Sequence, residues 1–463
     1  MSLAESRWGK VFLAIAIVFI AELILGFNGK LLLISGIPVR MVTYAIFGLI
    51  LLMLIVQACR SGKMTFGWRT PDSIWKLFEP FDYVVAAFLL LNAVWIFIIP
   101  HLTGYGVAMA LEQTKSTTLL LLYFPLLILL RTGIFRLEAG DKIIKLCLLG
   151  LALLHIVFYV GEWMLGDASV AIGFFETIKS LTFGNSEIPK GVYYPITRIV
   201  YPTSLFLLMI FYYTYKDRLT LPNMLFYVVG LTAICVTLTK SLWLGAIVGV
   251  AFIVVYHIIY KIGRFNLKKT AIIIALTLVT GYILDATILD QYLSIRIKYS
   301  FAVHTSLDLE KLLGEDATEE ELRRILEFDR TGRSNAVRIE QTKVLLKKWQ
   351  QSPWIGFGYG SYAEDLIRGP KGQPFLYEML LPSLLVQIGL IGVLIWAAFF
   401  IYVFRYAGKN AKVSAGVILL VIAICTAAQF NPFILGAPAM GMFLYSLLVI
   451  RTAAPTSTES AAA

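Results

Sequence analysis

The sequence predicts an all-α polytopic membrane protein of about 12 transmembrane helices with one large helical extracytoplasmic loop. Three observations predict it. Of 463 residues, 59% are hydrophobic and only 15% charged, with a mean hydropathy of +0.79, and a soluble globule of that balance would expose apolar surface. Apolar runs of roughly 20 residues, the length that crosses a bilayer, recur along the chain. Basic residues collect in alternate connections, as orientation in a membrane requires.

The apolar runs fall near residues 9–27, 38–59, 82–100, 117–131, 143–162, 199–215, 221–239, 241–260, 268–288, 378–404, 413–430 and 432–451. The run at 117–131 is short, and those at 221–239 and 241–260 meet at "TLTKSLW". The first run is followed by many others and by no small-residue cleavage site, so it reads as a retained span rather than a signal peptide. The organisation expected is a bundle of about nine spans over 1–288, the loop 289–377, further spans over 378–451 and a disordered tail at 452–463.

Orientation follows from charge. Arg7 and Lys10, then Arg60, Lys63, Arg69 and Lys76, then Arg131, Arg136, Lys142 and Lys145 occupy one set of connections. Lys216 and Arg218, then Lys261, Arg264, Lys268 and Lys269, then Arg405, Lys409 and Lys412 continue it. The positive-inside rule makes these connections and both termini cytoplasmic and turns 101–116, 163–198 and 289–377 outward. The net charge of +11 is accounted for in this way, which removes the reason to expect nucleic acid as a partner. Cys59, Cys147, Cys235 and Cys425 sit in or beside apolar runs without paired spacing, so neither a disulfide framework nor a zinc site is expected.

The loop 289–377 has near-balanced charge and internal order. "DATEEELRRILEF" offers Thr318 and Glu321 as a capping box, with acids early and Arg323 and Arg324 later, as the helix dipole favours. Asp316, Glu319, Glu320 and Glu321 read as a solvated helix start. A second helix is expected from near Ser334 through "AVRIEQTKVLLKKWQQ", stopped before Pro353, with Val337, Val344, Leu345 and Trp349 as its apolar stripe. The loop is expected to form a folded cap of two or more helices over the bundle.

After it comes "SPWIGFGYGSY", with Gly356, Gly358 and Gly360 at alternate positions. A dinucleotide fingerprint needs a preceding strand and a following helix in a parallel unit, and neither is present. The remaining reading is a glycine turn that returns the chain to the membrane. Among polar residues, Glu378 stands at the mouth of a span, where a carboxylate is costly unless paired or functional; it also suits the start of a helix. His155 and His257 fall within spans, and His101 and His304 fall in outer loops.

Arg338 on its helix, Pro353 to Gly358 as Pro-x-x-Gly-x-Gly, and Gly389 to Gly392 as Gly-Leu-Ile-Gly together resemble the O-antigen polymerase and ligase superfamily over about residues 330–395. "TLTKSLWLGAIVG" is similar to a family segment in which Lys240 takes the place of an arginine, and "YYPITRIVYPTS" puts Arg198 where the family holds a lipid-linked diphosphate. The resemblance implies an integral-membrane glycosyltransferase without cofactor or metal. Its substrate is an undecaprenyl diphosphate-linked oligosaccharide that enters laterally from membrane lipid. Arg198, Lys240, Arg296 and Arg333 are then expected on the diphosphate and Arg338 at the reacting centre, because guanidinium groups bind phosphate oxygens bidentately and an ammonium binds them as a point charge. The same arginines taken singly read as snorkelling to headgroups. Tyr194, Tyr359 and Tyr377 are the expected sugar-binding aromatics. Tyr193 and Tyr362 share that reading, and its alternative is an interfacial aromatic belt.

One departure bears on the reaction. The superfamily's ligases carry a catalytic histidine just before the span that ends in Gly-Leu-Ile-Gly, and here "PFLYEMLLPSLLVQIGLIG" has Glu378 near that place and no histidine. A carboxylate there is able to take the proton of a sugar hydroxyl for an inverting attack at the anomeric carbon, with cations stabilising the departing diphosphate. The outer loops contain no Asp-x-Asp pair of the kind that holds a divalent ion. The expectation is a repeat-unit polymerase of the bacterial inner membrane with a periplasmic site, working beside a chain-length-regulating co-polymerase. The alternatives are a ligase acting on lipid A-core and a flippase for the same lipid; a flippase calls for two related halves and a central cationic path, and no such repeat is visible.

Overall fold

The computed structural model describes residues 7–26, 33–34, 37–62, 65, 73–133, 136–165, 169–181, 202–260, 267–287, 294, 297, 319–367, 373–408, 411–430 and 434–453. The described residues form a helical bundle with a two-stranded hairpin, in which Leu33 pairs with Pro38 and Ile34 with Ile37. In chain order the helices are α1 (Arg7–Leu25), α2 (Val39–Arg60), α3 (Pro80–Leu102), α4 (Val107–Arg131), α5 (Leu137–Leu165), α6 (Ser169–Leu181), α7 (Met209–Lys216), α8 (Leu221–Val236), α9 (Lys240–Tyr260), α10 (Leu267–Thr287), α11 (Glu319–Trp349), α12 (Leu380–Ala407), α13 (Ala411–Ala428) and α14 (Ala437–Ala453). A 3₁₀ turn, Pro202–Leu208, leads into α7.

Every run expected to span carries helix. By length and apolarity, five segments among the described residues suffice to cross a membrane: Val39–Arg60, Pro80–Leu102, Val107–Arg131, Leu137–Glu162 and Leu380–Ala407. Shorter apolar helices, among them Leu221–Val236, Ala415–Ala428 and Ala437–Thr452, pack with them. The span expected at 117–131 starts ten residues earlier, at Val107, because Val107–Thr114 is already helix and Lys115–Leu122 carries it on as 3₁₀ helix. The connection 163–198 also contains a helix, α6, that hydropathy alone did not mark.

Two kinds of contact hold the bundle. Small residues let backbones approach: a Cβ on Gly245 would lie 2.6 Å from the Ala423 carbonyl oxygen and one on Gly249 3.1 Å from that of Leu419, so α9 and α13 meet through their glycines. Buried charges clamp other elements. Arg451 of α14, 1% exposed, donates from Nε to both Asp82 oxygens of α3 at 3.1 and 3.0 Å and lies 3.0 Å from Glu79. Tyr123 of α4 donates to the same Asp82 at 2.5 Å. At α5, Asp141 accepts from Tyr213, Tyr445 and Lys216, which joins α7 and α14 to it. Such groups are stable in an apolar interior only because each charge has its counter-charge and hydrogen bonds.

The two helices expected in the hydrophilic segment are one helix of 31 residues, α11. The expected break at "DRTGRSN" does not occur: that stretch contains no proline, and Gly332 costs a helix interior only about 1 kcal/mol. The end is where Pro353 places it, with Trp349 as the last helical residue. Leu345 is fully buried with Ala363, Tyr377 and Val386, and Val344 and Trp349 pack on that cluster, so most of the expected stripe docks α11 on α12. Val337, also of that stripe, is half-buried.

Candidate functional site

The glycine turn is spliced between two spans rather than laid over them. α12 breaks at Gly389, whose φ of 62° and ψ of −173° lie in a region that only glycine occupies without strain. The break frees the carbonyls before it and the N–H groups after it. Phe357 and Gly358 donate to Val386 O and Gln387 O at 2.9 and 2.7 Å, and Leu390 and Ile391 donate to Pro353 O and Trp354 O, both at 2.9 Å. The turn thus replaces the missing rungs of the helix ladder, as a backbone at membrane depth requires.

α3 offers the other half of the socket. Pro100 lacks an N–H and widens the preceding turn, so Val94–Ile98 is π-helical. Into this bulge the turn donates Tyr359 N–H to Trp95 O at 2.9 Å, and it accepts from Trp95 Nε1 at Ile355 O (2.7 Å) and from Thr103 Oγ1 at Phe357 O (2.6 Å). Gly360 N–H donates to Gln113 Oε1 of α4 at 2.6 Å. Gly356, Gly358 and Gly360 all have positive φ, and a Cβ on Gly358 would lie 2.4 Å from Pro100. The glycines are architectural.

This splice sets the position of the charged pair. Glu378 immediately precedes Met379, the N-cap of α12, and its Oε2 accepts from Arg338 Nε of α11 at 3.0 Å. Arg338 also reaches Asn335 Oδ1 at 3.4 Å. The side chains are 28% and 36% exposed, so both remain within reach of a ligand. Between them lies a residue that sequence reasoning missed. Gln341, one turn after Arg338 and fully buried, accepts the Glu378 backbone N–H at 3.2 Å.

A second polar group pins the loop where it meets α4. Tyr105 donates to Glu364 at 2.6 Å, and Lys348 of α11 pairs with the same carboxylate at 2.9 Å while its ammonium sits 4.8 Å from the Phe357 ring centre. Burial tends to raise the Glu364 carboxyl, yet the hydrogen bonds from Tyr105 and Lys348 hold it below the ordinary 4.5. Tyr105 is pushed up to about 12, first by burial and then by its bond to Glu364.

Two expected sugar-binding aromatics are corrected. Tyr359 is 1% exposed and its hydroxyl donates to Asn92 Oδ1, which also accepts from Trp396, so it offers no ring face to a sugar. Tyr377 is 2% exposed, its hydroxyl accepting the Ala363 N–H at 2.9 Å and reaching the Leu366 carbonyl at 3.1 Å. Burial pushes its phenol up. Tyr362 also packs on the cluster around Leu345. Arg333 is exposed on α11, and five residues rotate it about 140° around the helix from Arg338; the helix does not set the two on one face. Lys240 opens α9, half-buried. Arg198, Arg296, Tyr193, Tyr194 and His304 lie outside the described residues.

Of the other histidines, His155 is buried between Leu151 O and Ser204 Oγ, at 2.8 and 2.9 Å, and His101 is exposed at the end of α3. Among the described residues no three His, Cys, Asp or Glu side chains gather as a metal site would need.

A bundle of apolar helices, with an arginine-bearing helix docked through a spliced turn against a carboxylate at the start of a span, defines a membrane protein with an accessible ion pair at the mouth of α12. Residues 225–397, with α11, the turn and Glu378 inside them, match a family model described as O-antigen ligase. Members of that family are membrane enzymes that transfer glycosyl groups. No curated protein matches the chain.

Proposed function

We propose that this protein polymerises undecaprenyl diphosphate-linked oligosaccharide repeat units on the outer face of a bacterial inner membrane. The observation that carries the reading is the Arg338–Glu378 pair: a cation fit for a diphosphate and a carboxylate fit for a base, held together where a lipid-linked substrate meets water. In the resting enzyme each neutralises the other. A diphosphate offers Arg338 two or more anionic oxygens in place of one carboxylate, and its arrival draws the guanidinium away. Glu378 is then free to take the proton of the acceptor hydroxyl. The hydroxyl oxygen attacks the anomeric carbon, the bond from that carbon to the diphosphate oxygen breaks, and the lipid diphosphate leaves with its charge stabilised by Arg338. Arg198, Lys240 and Arg296 complete the diphosphate site in this reading, Arg333 being turned away from Arg338 on the same helix, and Tyr194 contributes a ring to the sugar.

A ligase reading is favoured by the description of the matching family and differs only in the acceptor. Glu378, standing near the expected place of the ligase histidine, supports the polymerase. The experiment is incubation of the purified full-length protein with undecaprenyl diphosphate-linked oligosaccharide, alone and with lipid A-core added. Lengthening of the lipid-linked glycan is the expected result. Transfer to lipid A-core without lengthening makes it a ligase, and activity in neither arm overturns the glycosyltransferase reading.

A further inference from the structure

We propose that Gln341 is a positioning residue for Glu378, fixing the peptide from which the carboxylate projects. The inference rests on the reading of Glu378 as the base. Its own evidence is geometric. Gln341 is 0% exposed, a rare state for a glutamine. It sits within the apolar stripe of α11, four residues after Val337 and four before Leu345, where a methionine or leucine would pack without any polar cost. What the amide supplies is one bond: Oε1 accepts the Glu378 N–H at 3.2 Å. Its Nε2 is buried with no acceptor among the described residues, and an unpaired buried donor costs about 1–3 kcal/mol.

The need for that bond follows from where Glu378 lies. It stands just outside α12, beyond the helix ladder that would otherwise take its N–H. Gln341 holds the peptide itself, where the Arg338 ion pair holds only the side chain, and that pair opens when Arg338 turns to a diphosphate. The amide keeps the carboxylate aimed after its ionic partner has left. Arg338 and Gln341, three residues apart on one helix face, address the side chain and the backbone of the same residue.

The test uses the full-length protein and undecaprenyl diphosphate-linked oligosaccharide. Gln341→Met keeps the volume and removes the acceptor, and Leu345→Ala loosens the same helix one turn on without touching the Glu378 peptide. The expected result is a kcat about tenfold lower in Gln341→Met with KM within about twofold, at a thermal midpoint no lower than that of Leu345→Ala, which keeps its kcat. Equal losses of kcat in the two variants, or a wild-type kcat in Gln341→Met while Glu378→Gln is inactive, overturn the inference and leave the reading of Glu378 intact. Wild-type activity in Glu378→Gln overturns that reading instead. Should Gln341→Met not fold, backbone amide exchange in the unmodified protein decides. Slow exchange at Glu378 is expected, and exchange at the rate of an open loop refutes the bond.

Discussion

Arg338 and Glu378 lie 40 positions apart in sequence and 3.0 Å apart in space, with both side chains still partly open to solvent. The pair is not sealed by packing, so a third group is able to reach either partner. With Glu378 as base, Glu378→Gln lowers kcat by about 10²–10⁴, and Arg338→Ala by about 10²–10³, since it removes the cation facing the leaving group. Both variants are expected to reach the membrane at wild-type levels. Glycan lengthening measured per mole of purified protein checks this, and a Glu378→Gln enzyme at full rate refutes it.

The splice makes a sharp statement about glycine. Gly358→Ala places a Cβ 2.4 Å from Pro100 and keeps φ at 88°, which costs about 1–2 kcal/mol for the backbone alone before the clash with a rigid ring. Gly48→Ala meets nothing within 4 Å on α2 and relieves a helix of its glycine, a gain of about 0.5–1 kcal/mol. The expected outcome in detergent is a clear fall in thermal midpoint for Gly358→Ala and no fall for Gly48→Ala. Equal midpoints for the two variants show that the turn is not held as described.

Much of this fold is legible in the sequence because each span is an independent unit: about 20 apolar residues suffice to make helix whatever their neighbours do. The breaks within spans are not legible in that way. Gly389 and Pro100 sit in runs whose hydropathy they hardly change, and their meaning depends on a turn that arrives from elsewhere in the chain. The sequence singles out Arg338 and Glu378 separately, one from its place in a motif and one as a carboxylate at a span mouth; that they pair is visible only in the fold. Tyr359 and Tyr377 were misread because an aromatic beside a membrane looks the same whether it faces a sugar or fills a socket. Gln341 carried a signal that went unused: its polar side chain falls in register with Val337 and Leu345, inside an apolar stripe.

At the end of the bundle where Arg451 meets α3, the charges are locked rather than poised. Arg451 and Asp82 are each 1% exposed, and Arg451→Met leaves that carboxylate buried without its partner, at a cost of about 3–5 kcal/mol. The double variant Arg451→Met with Asp82→Asn removes both charges and is expected to regain a large part of that loss. Thermal unfolding of the two variants measures it. If the double variant is no more stable than the single one, the pair is not what holds α14 to α3.

The clasp of Tyr105, Lys348 and Glu364 gives a pH dependence with a definite sign. Glu364 is held below its ordinary value of 4.5 in the folded protein, so its contribution is present above that value and is lost as pH falls through the lower, folded one. Lys348 and Tyr105 are both raised, so their contributions hold below 10 and fail only in strong alkali. Between pH 5.5 and 9, roughly, the difference in thermal midpoint between wild type and Glu364→Gln is expected to be constant, and to shrink below about pH 4.5. A difference that grows on acidification reverses the sign and refutes the clasp.

Depth is the last consequence of the splice. Leu390 and Ile391, which donate to Pro353 and Trp354, lie ten and eleven residues into α12, about 15 Å along its axis. The turn therefore reaches well below the end of the span at which Glu378 sits. Its backbone is satisfied there by the two interrupted helices, and it exposes apolar side chains, Trp354 at 63% and Ile355 at 45%, as α12 exposes Ile391 and Leu394 at 41% and 57%. A tryptophan so placed is expected to face acyl chains. In vesicles of phospholipid brominated at mid-chain, the wild type is expected to lose more fluorescence than Trp354→Phe loses, the difference marking Trp354 against the other tryptophans. Quenching of Trp354 by aqueous iodide instead would put the turn above the membrane and return it to the role of a surface loop.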